Sequence, residues 1–508
     1  MATERVSRLT QKTLRGGAQE ASLELPERIV QVGEGRFLRG FADWIIQQMN
    51  DAGSFQGRAV VLAPRPSGAG TIELLNGQDG LFTVALRGLD DGQLIDRREV
   101  VTTISRALDT VAQWSAVLAL AEDAAIQLLI SNTTEAGLVY AADPYQPGVC
   151  PTTFPAKVTA YLYHRYQHFK GSEEAGMTML PTELVERNGD LLRTLVERYS
   201  QEWKLPMPFV GWVKRSNSFC NTLVDRIVTG FPKNVDPEVL AAELGYQDAL
   251  YTEAEPFYLW AIEADARLRS LWPEHRLPRG VRLVEDITPF QRTKVGILNG
   301  AHTALYPLAR LSGVHTVAEA MDHHQLGPFI EALVREEIVL ALAEEGVDGR
   351  HPLSHGVLLD YAQETFERFR NPFLHHQIHD LGLNNQAKIR ARLLPSLRQY
   401  VARFGTLPKR LGRVMAAHWM LEQVMTVVGE ENDPAQGLVQ IRKTWRGLRS
   451  DDRLLSSVQA WLGRPAVWGE DLSALPGLAE WMLEAVQAVA AADTAALYSI
   501  INPDVTGL

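Results

Sequence analysis

The feature that most restricts the possible folds is a strand, a glycine turn, a helix and a second strand near the start of the chain. Residues 28–32 are typical of a short buried strand, and a Gly-Glu-Gly turn follows at 33–35. Apolar residues then recur at helical spacing as far as Met49, and a second apolar run covers 59–63. A unit of this length predicts a right-handed β-α-β crossover between parallel strands.

The glycine turn has a chemical meaning because it stands between a strand and a helix. A helix N-terminus carries unpaired N–H groups and about half a positive charge, and a pyrophosphate binds there if no side chain blocks it. Gly33 and Gly35 give that access, although Leu38 stands where the usual G-x-G-x-x-G has its third glycine. The motif alone is also typical of a tight turn, and the surrounding β-α-β unit favours dinucleotide binding.

The end of the second strand bears on the choice of dinucleotide. An Asp or Glu at this place would bind the ribose hydroxyls of NAD. The sequence has Pro64-Arg65-Pro66 instead. Arg65 could face the 2′-phosphate of NADP or lie over the adenine, so spacing alone leaves both dinucleotides open.

The rest of the chain predicts two regions of different architecture. An inserted β-hairpin over residues 81–104 interrupts the α/β pattern, which resumes with a strand at 125–131. Past about residue 290, apolar residues recur at three- and four-residue spacing, and strand patterns are nearly absent. We therefore expect an α/β domain followed by an all-α domain, with the boundary near 285–290.

Composition excludes several classes of protein. The 508 residues include 61 acidic and 50 basic side chains, a net charge of −11, which disfavours nucleic acid because phosphate binding needs a basic face. No stretch reaches the ~20 apolar residues that span a bilayer, and the N-terminus lacks the apolar core of a secretory signal. Together with only two cysteines, this predicts a cytoplasmic protein without a metal site or disulfide framework.

A polar constellation lies in the segment 291–302. In a helix, Lys294, Asn299 and His302 lie at about 0°, 140° and 80° around the axis, so the three groups can converge from one side. A lysine whose pKa is lowered by burial can take a hydroxyl proton as hydride leaves a carbinol, while an amide and an imidazole hydrogen-bond the same oxygen. A surface lysine, a capping asparagine and a core histidine are the alternative interpretation.

A locally basic stretch follows in the helical region and includes His376, Lys388 and Arg392. Lys388 and Arg392 are four residues apart and share one face of a helix. They could bind a carboxylate, for which arginine offers a bidentate fork. A solvated helix face is the alternative.

Three patterns in the chain resemble the polyol-specific long-chain dehydrogenases, the mannitol dehydrogenase family. They are Gly33-x-Gly35-x-Phe37-x-Arg39, Asn221-x-x-Val224-Asp225-Arg226-Ile227 and Lys294-x4-Asn299-x2-His302, of which the last is the catalytic signature of the family. The match runs from about residue 28 to at least 400. Within the family, the stretches 31–39, 131–137, 217–230 and 297–305 are most similar to the tagaturonate reductase (altronate oxidoreductase) branch.

The resemblance implies a Rossmann-type dinucleotide-binding domain over residues 1–287 and a helical substrate and catalytic domain over residues 288–508. It implies metal-independent, reversible reduction of D-tagaturonate to D-altronate with NAD, NADP not being excluded. Lys294 would be the general acid/base, with Asn299 and His302 polarising the reacting oxygen. The implied cofactor-binding residues are Val32, Gly33, Glu34, Gly35, Arg36, Phe37, Leu38, Arg39, Arg65, Asn132, Thr133 and Glu135. The implied substrate-binding residues are Asn221, Asp225, His376, Lys388 and Arg392.

Two departures from the family pattern argue against mannitol as the substrate. Leu184 stands where mannitol-type members carry an asparagine that binds the oxyanion, and Gln291 stands where they often carry a glutamate. Fructuronate (mannonate) or mannitol oxidoreduction, a uronate epimerase that retains its cofactor, and an NAD-binding paralogue without net redox activity remain as alternatives. The expected partner is a small-molecule sugar acid, with no nucleic acid or membrane, and the expected state is a monomer or a homodimer.

Overall fold

Three sheets contain the strands of the described residues, and the largest sheet is fully parallel. The strands are β1 (Glu27–Val32), β2 (Arg58–Ala63), β3 (Phe82–Asp90), β4 (Gln93–Val101), β5 (Ile104–Asp109), β6 (Leu128–Ser131), β7 (Thr178–Pro181), β8 (Ser218–Phe219), β9 (Thr222–Asp225), β10 (Val228–Gly230), β11 (Thr252–Ala254), β12 (Leu259–Glu263) and β13 (Val281–Val284). The largest sheet has the order β5-β2-β1-β6-β7-β8, and all of its pairs are parallel. Without the β3–β4 hairpin this is the 3-2-1-4-5-6 order of doubly wound folds, which confirms the predicted Rossmann-type fold.

This computed structural model describes residues 6–14, 22–232, 235–429 and 452–491, together with positions 434, 437, 441, 444 and 445. The chain divides into two compact units. The first unit comprises Met1–Arg87 and Leu94–Ile287, and the second comprises Gly88–Gln93 and Thr288–Leu508. In the described part of the chain, no helix is both long and apolar enough for a membrane crossing.

The core of the first unit lies on both faces of the parallel sheet. Ile29 of β1 packs into one apolar cluster, whereas Val30 and Val32 pack into the other. This alternation follows from the two-residue period of a strand. Because both faces are covered, the strands read as continuous apolar runs in the sequence. The covering helices and their neighbours are Arg36–Leu38, Trp44–Asp51, Ala69–Gly77, Trp114–Leu120, Phe154–His168, Asn188–Glu202, Met207–Ser216, Pro237–Leu244 and Ala266–Leu271, with a π-helical segment at Arg39–Asp43.

The predicted hairpin is present as β3 and β4, but it is shorter than expected. Asp91 and Gly92 join the two strands with φ angles of 50° and 74°, as a type I′ turn requires. Strand β4 ends at Val101, and Ile104, which we expected within the hairpin, begins β5 of the main sheet. Between the two strands, the Thr102 hydroxyl donates to Gln47 Oε1 at 2.8 Å and the Thr103 hydroxyl donates to the carbonyl oxygen of Asp43 at 2.9 Å.

The second unit is helical, as the sequence predicts, and no strand follows Val284 in the described residues. Two short π-helical segments, Lys294–Asn299 and Val334–Ile338, interrupt its α-helices. The α-helices are Thr288–Thr293, Gly300–Leu311, Val317–Asp322, Leu326–Leu333, Val339–Leu342, His355–Phe369, Asn385–Arg392, Leu394–Phe404, Lys409–Val428, Asp452–Leu462, Pro465–Trp468 and Leu478–Ala491.

Candidate functional site

The glycine turn lies at the carboxyl end of β1, and it exposes Gly35 but buries Gly33, which we expected to be accessible. Gly33 has a φ of 125°, which residues with a side chain rarely adopt. A Cβ atom on Gly33 would also lie only 2.9 Å from the carbonyl oxygen of Asn132, so the loops after β1 and β6 meet here. Apart from its two chain neighbours, no described residue has an atom within 4 Å of the place that a Cβ on Gly35 would take, and Gly35 and Arg36 are exposed.

Four of the predicted cofactor residues lie on the buried side of this turn and support it. Arg39 is buried, and its Nη1 donates a hydrogen bond to the carbonyl oxygen of Glu34 at 2.6 Å. Val32 and Leu38 belong to the two apolar clusters, and Phe37 packs against one of them. These four side chains therefore shape the turn rather than line an open surface, and their part in cofactor binding stays a prediction.

A cavity of about 180 Å³ opens where β2 and β6 end. Its walls include Arg65 after β2, Thr133 and Thr134 after β6, and Lys157 in the first turn of helix Phe154–His168. Strand β1 lies between β2 and β6. The strand order changes direction here, because β2 and β5 follow on one side of β1 and β6, β7 and β8 follow on the other. Doubly wound folds bind their ligands at this kind of edge.

Two cations line this cavity, although the chain as a whole is acidic. Arg65 is exposed, whereas Lys157 is buried and donates from Nζ to the carbonyl oxygen of Thr152 at 2.6 Å. Burial lowers the pKa of Lys157. Positive groups gathered in a cavity of a protein with a net charge of −11 favour an anionic ligand. Sequence reasoning missed Lys157, which has no motif around it and reaches the cavity only through the fold.

Glu183 is a second residue that sequence reasoning missed. It follows β7 and is 2% exposed. Its Oε1 accepts hydrogen bonds from the backbone N–H and the hydroxyl of Thr133, each at 2.9 Å, and its Oε2 accepts one from Ser131 at 3.1 Å. Burial raises the pKa of Glu183. The carboxyl group thus holds the loop after β6 in place.

The loop that Glu183 holds contains a strained residue. Thr134 has a φ of 70° and a ψ of 169°, a region that is essentially restricted to glycine and costs about 1–3 kcal/mol. Asn132 supports the loop by donating to the hydroxyl and carbonyl oxygens of Thr182 at 3.0 and 3.1 Å, whereas Glu135 is exposed. Backbone strain that neighbouring residues enforce is typical of ligand clamps.

Replacing Glu183 by alanine should destabilise the first unit. The hydroxyls of Ser131 and Thr133 and the Thr133 N–H would lose their acceptor inside the protein, and an unsatisfied buried donor costs about 1–3 kcal/mol. We expect the free energy of unfolding in urea to fall by about 2–3 kcal/mol. The exposed Glu186 supplies the matched control, Glu186→Ala, and equal stability of the two variants would contradict this role for Glu183.

Two predicted substrate residues, Asn221 and Asp225, are buried in the first unit. The Asn221 amide donates to Asp190 Oδ2 at 3.2 Å and to Glu263 Oε2 at 2.6 Å, and its Oδ1 accepts from the backbone N–H of Asp190 at 3.1 Å. Both amide hydrogens of Asn221 are therefore used within the unit. Asp225 ends β9, where its backbone pairs with Leu259 of β12.

In the second unit, the segment that carries the predicted catalytic residues differs from the expected plain α-helix. Lys294–Asn299 is π-helical and continues directly into helix Gly300–Leu311. An α-helix would place Lys294 and Asn299 about 140° apart. In a π-helix the hydrogen bonds join residues five apart, which turns the Asn299 amide toward the face of Lys294. Lys294 and Asn299 are partly exposed, and π-helical turns are frequent at functional sites.

His302 lies among aromatic rings. It is 9% exposed, and its ring stacks on Phe369 with the centroids 4.1 Å apart. The ring of His376 meets it edge-on at 5.0 Å. Burial, together with the charge of Lys388, lowers the pKa of His376. The structure therefore brings a predicted catalytic histidine and a predicted substrate-binding histidine together.

The predicted cation pair lies beside the same helix. Arg392 Nη1 donates to the hydroxyl of Thr303, the residue after His302, at 3.3 Å, and Lys388 Nζ donates to the carbonyl oxygen of Leu381 at 3.0 Å. Burial and the neighbouring charge of Arg392 lower the pKa of Lys388, and burial lowers the pKa of Arg392. His302, His376, Lys388 and Arg392 therefore form one polar cluster.

A buried histidine that sequence reasoning missed anchors the helix with this cation pair. The Asn385 amide, in the first turn of helix Asn385–Arg392, donates to Nδ1 of His418 at 3.1 Å. Burial lowers the pKa of His418 to about 3, so its ring is neutral at physiological pH and able to accept this hydrogen bond. No spacing in the sequence links two residues 33 positions apart.

Comparison with known proteins connects both units with one family. The family model described as the mannitol dehydrogenase Rossmann domain matches residues 27–271, and the mannitol dehydrogenase C-terminal domain matches residues 286–490. A protein named altronate oxidoreductase from Yersinia enterocolitica is 39% identical over 473 residues, which is 91% of this chain and 94% of the relative. One of the same name from Bacillus subtilis is 39% identical over 457 residues, 90% of this chain and 91% of the relative.

Solved structures show the same fold at low sequence identity. A D-sorbitol dehydrogenase in substrate-free form has a TM-score of 0.71 at 19% identity and covers 94% of this chain and 95% of its own. The mannitol 2-dehydrogenase of Pseudomonas fluorescens, in a ternary complex with NAD and D-mannitol, has a TM-score of 0.62 at 20% identity and covers 97% and 98%. With both of its units matched, the chain belongs to the mannitol dehydrogenase family of oxidoreductases.

Proposed function

We propose that this enzyme is an NAD-dependent oxidoreductase that reversibly reduces D-tagaturonate to D-altronate without a metal ion. The observation that carries the proposal is the polar cluster of the second unit, where a cation pair adjoins the helix that bears Lys294, Asn299 and His302. Relatives named altronate oxidoreductase, 39% identical over about nine-tenths of the chain, support the choice of substrate.

The first unit fits a dinucleotide. The exposed backbone at Gly35 suits a pyrophosphate, and the cavity lined by Arg65, Thr133 and Lys157 offers cations at the carboxyl edge of the sheet. NAD bound there would supply the hydride donor for reduction and the hydride acceptor for oxidation. In this proposal, the Glu183 carboxyl holds the loop after β6 ready for the cofactor, so that little ordering is needed on binding.

In this proposal, Lys294 accepts and donates the proton. As the C–H bond of the altronate carbinol gives up a hydride, its O–H bond gives up a proton to the neutral Lys294 amine, and the carbonyl forms. In the reducing direction the Lys294 ammonium returns that proton to the oxygen. Asn299 and His302 donate hydrogen bonds to the same oxygen and stabilise the negative charge that develops on it.

The cation pair, Lys388 and Arg392, favours a sugar acid over a neutral polyol as the substrate. Arg392 and Lys388 carry positive charge next to the helix of His302, in a chain with a net charge of −11. A uronate carboxylate would bind to this pair by charge-assisted hydrogen bonds. A neutral ketose such as fructose has no group for which the pair is needed.

The proposed function is tested by NADH consumption with tagaturonate, fructuronate and fructose in parallel. We expect the largest kcat/KM with tagaturonate and very low turnover of fructose. A preference for fructuronate or fructose would assign a sibling activity. Interconversion of uronates without a net change in NADH would indicate an epimerase, and binding of NADH without turnover of any compound would indicate a silent paralogue.

Replacing Arg392 by alanine should weaken uronate binding specifically. A hydrogen bond between charged groups is worth about 1.5–3 kcal/mol, so the KM for tagaturonate is expected to rise about 30-fold, while any turnover of fructose stays the same. Arg390 is exposed on the same helix, and Arg390→Ala is the matched control. An equal loss with both ketoses would show that Arg392 supports the fold rather than the carboxylate.

A further inference from the structure

The end of β2 lacks the group that usually distinguishes NAD from NADP. NAD-binding chains place an Asp or Glu there, which accepts hydrogen bonds from the ribose hydroxyls. Here Pro64, Arg65 and Pro66 follow the strand. If the first unit binds a dinucleotide, as proposed above, the ribose needs another hydrogen-bond acceptor from the same edge of the sheet.

The side chain of Glu34 reaches this place from the neighbouring strand. Gly68 lies in the short 3-10 turn Pro66–Gly68 directly after β2. A Cβ atom on Gly68 would lie 2.6 Å from Glu34 Oε1 and 2.7 Å from Cβ of Ala63, the last residue of β2. The carboxylate of Glu34 therefore occupies the space that the missing side chain of Gly68 leaves open.

The backbone of Glu34 is also fixed. Its carbonyl oxygen accepts the hydrogen bond from the buried Arg39 at 2.6 Å, and β1 pairs with β2 in parallel up to Val32 and Leu62. The register of the two strands thus brings the glycine turn and the end of β2 side by side. The backbone of the turn therefore places the Glu34 side chain beside the end of β2, where Gly68 leaves room for the carboxylate.

The charges at this edge are divided between two residues. Arg65 lines the cavity and is exposed, so it could pair with a phosphate on the ribose. The Glu34 carboxylate carries the opposite charge and lies beside Gly68, which follows Arg65 by three positions in the sequence. A 2′-phosphate carries a charge of about −1.5 to −2 at neutral pH, and a carboxylate nearby repels it.

We infer that Glu34 supplies, from the glycine turn, the carboxylate that the end of β2 lacks, and that it makes the site selective for a dinucleotide with a free 2′-hydroxyl. The carboxylate accepts hydrogen bonds from the ribose hydroxyls of NAD and opposes the 2′-phosphate of NADP. Arg65 alone would favour NADP, so the preference depends on the glutamate. This inference rests on the proposed binding of a dinucleotide.

Titration calorimetry with NAD⁺ and NADP⁺ tests the inference without any turnover. The wild-type protein should bind NAD⁺ at least about 30-fold more tightly than NADP⁺, a difference of about 2 kcal/mol. In Glu34→Gln, which keeps the size of the side chain and removes its charge, NADP⁺ should bind about tenfold more tightly than in the wild type, and NAD⁺ more weakly. Glu73 is an exposed carboxylate in the next helix, and Glu73→Gln controls for the change in net charge.

A double variant shows whether Arg65 is the cation that the glutamate masks. In Glu34→Gln/Arg65→Ala, the gain in NADP⁺ affinity should disappear. Thermal unfolding of each variant identifies any loss of fold. If the wild type binds neither dinucleotide, the proposed function itself is wrong. If it binds both but prefers NADP⁺, the NAD dependence in the proposed function is overturned together with the role of Glu34. If it prefers NAD⁺ but Glu34→Gln leaves the ratio of the two affinities unchanged, only the role of Glu34 is overturned and the proposed function stands.

Discussion

The Lys294→Ala variant is expected to lose about three orders of magnitude in kcat, because general acid–base catalysis by one side chain contributes about 10²–10⁴-fold. Binding of NADH, which we assign to the first unit, should persist with an unchanged dissociation constant. Steady-state kinetics with tagaturonate and fluorescence titration with NADH measure the two effects separately. An unimpaired kcat would eliminate the proposed mechanism.

Two further variants separate proton transfer from simple charge. Arginine keeps the positive charge but does not give up its proton, so Lys294→Arg should be nearly as inactive as the alanine variant. An active arginine variant would show that the lysine only stabilises negative charge. Lys409 is an exposed lysine of the same unit, and Lys409→Ala should retain wild-type kinetics.

The second large effect concerns the stability of the first unit between pH 4 and pH 7. Asp43 ends the π-helical segment after the glycine turn, is 1% exposed, and accepts a hydrogen bond from Gln31 at 3.1 Å. Burial raises its pKa from 3.8 to about 7, against the lowering effects of Gln31 and the charge of Arg39. The folded protein therefore keeps a proton on Asp43 at pH values where the unfolded chain has lost it.

The direction of the pH effect follows from this difference. Between about pH 4 and 7 the folded state binds more protons than the unfolded state, so the free energy of unfolding falls as the pH rises. The stabilisation is fully present below about pH 4 and is lost by about pH 7, and a difference of three pKa units corresponds to about 4 kcal/mol. Urea unfolding at a series of pH values measures it.

Asparagine at position 43 removes the titration but keeps the size and the hydrogen-bonding oxygen of the side chain. Asp43→Asn should therefore lose this contribution to the pH dependence. The free energy of unfolding of the variant should exceed that of the wild type by an amount that grows between pH 4 and 7. Asp91 is an exposed residue of the hairpin turn, and Asp91→Asn should follow the wild type. Parallel curves for Asp43→Asn and the wild type would contradict the raised pKa.

The architecture could be predicted where burial leaves a pattern in the sequence. Strands β1 and β2 are buried on both faces and read as apolar runs on either side of the glycine turn, so the β-α-β unit was predicted correctly. Strands β9 to β13 contain only three to five residues each; β9, β12 and β13 form one small sheet, and β10 and β11 join the β3–β4 hairpin in another. Segments as short as these carry too few residues for a periodicity, and the sequence reading did not identify them.

The candidate site could be predicted only where its residues are neighbours in the sequence. Lys294, Asn299 and His302 lie within nine positions of one helix, so their spacing is informative. Glu183 meets Ser131 across 52 residues, because β6 and β7 are adjacent strands whose ends coincide, and only the register of the sheet brings them together. The π-helical turn depends on packing around the helix and has no sequence pattern of its own.

The continuous helical stretch from Thr288 to Leu311 also bears on how such enzymes diversify. The amine of Lys294, the amide of Asn299 and the imidazole of His302 all lie on this stretch, whereas the cation pair belongs to helix Asn385–Arg392. In the proposed mechanism, the groups that act on the reacting oxygen therefore lie on one helical stretch, and the groups that bind the carboxylate lie on another. Under that proposal, substitutions in helix Asn385–Arg392 can change which compounds are accepted while the groups that transfer the proton stay in place.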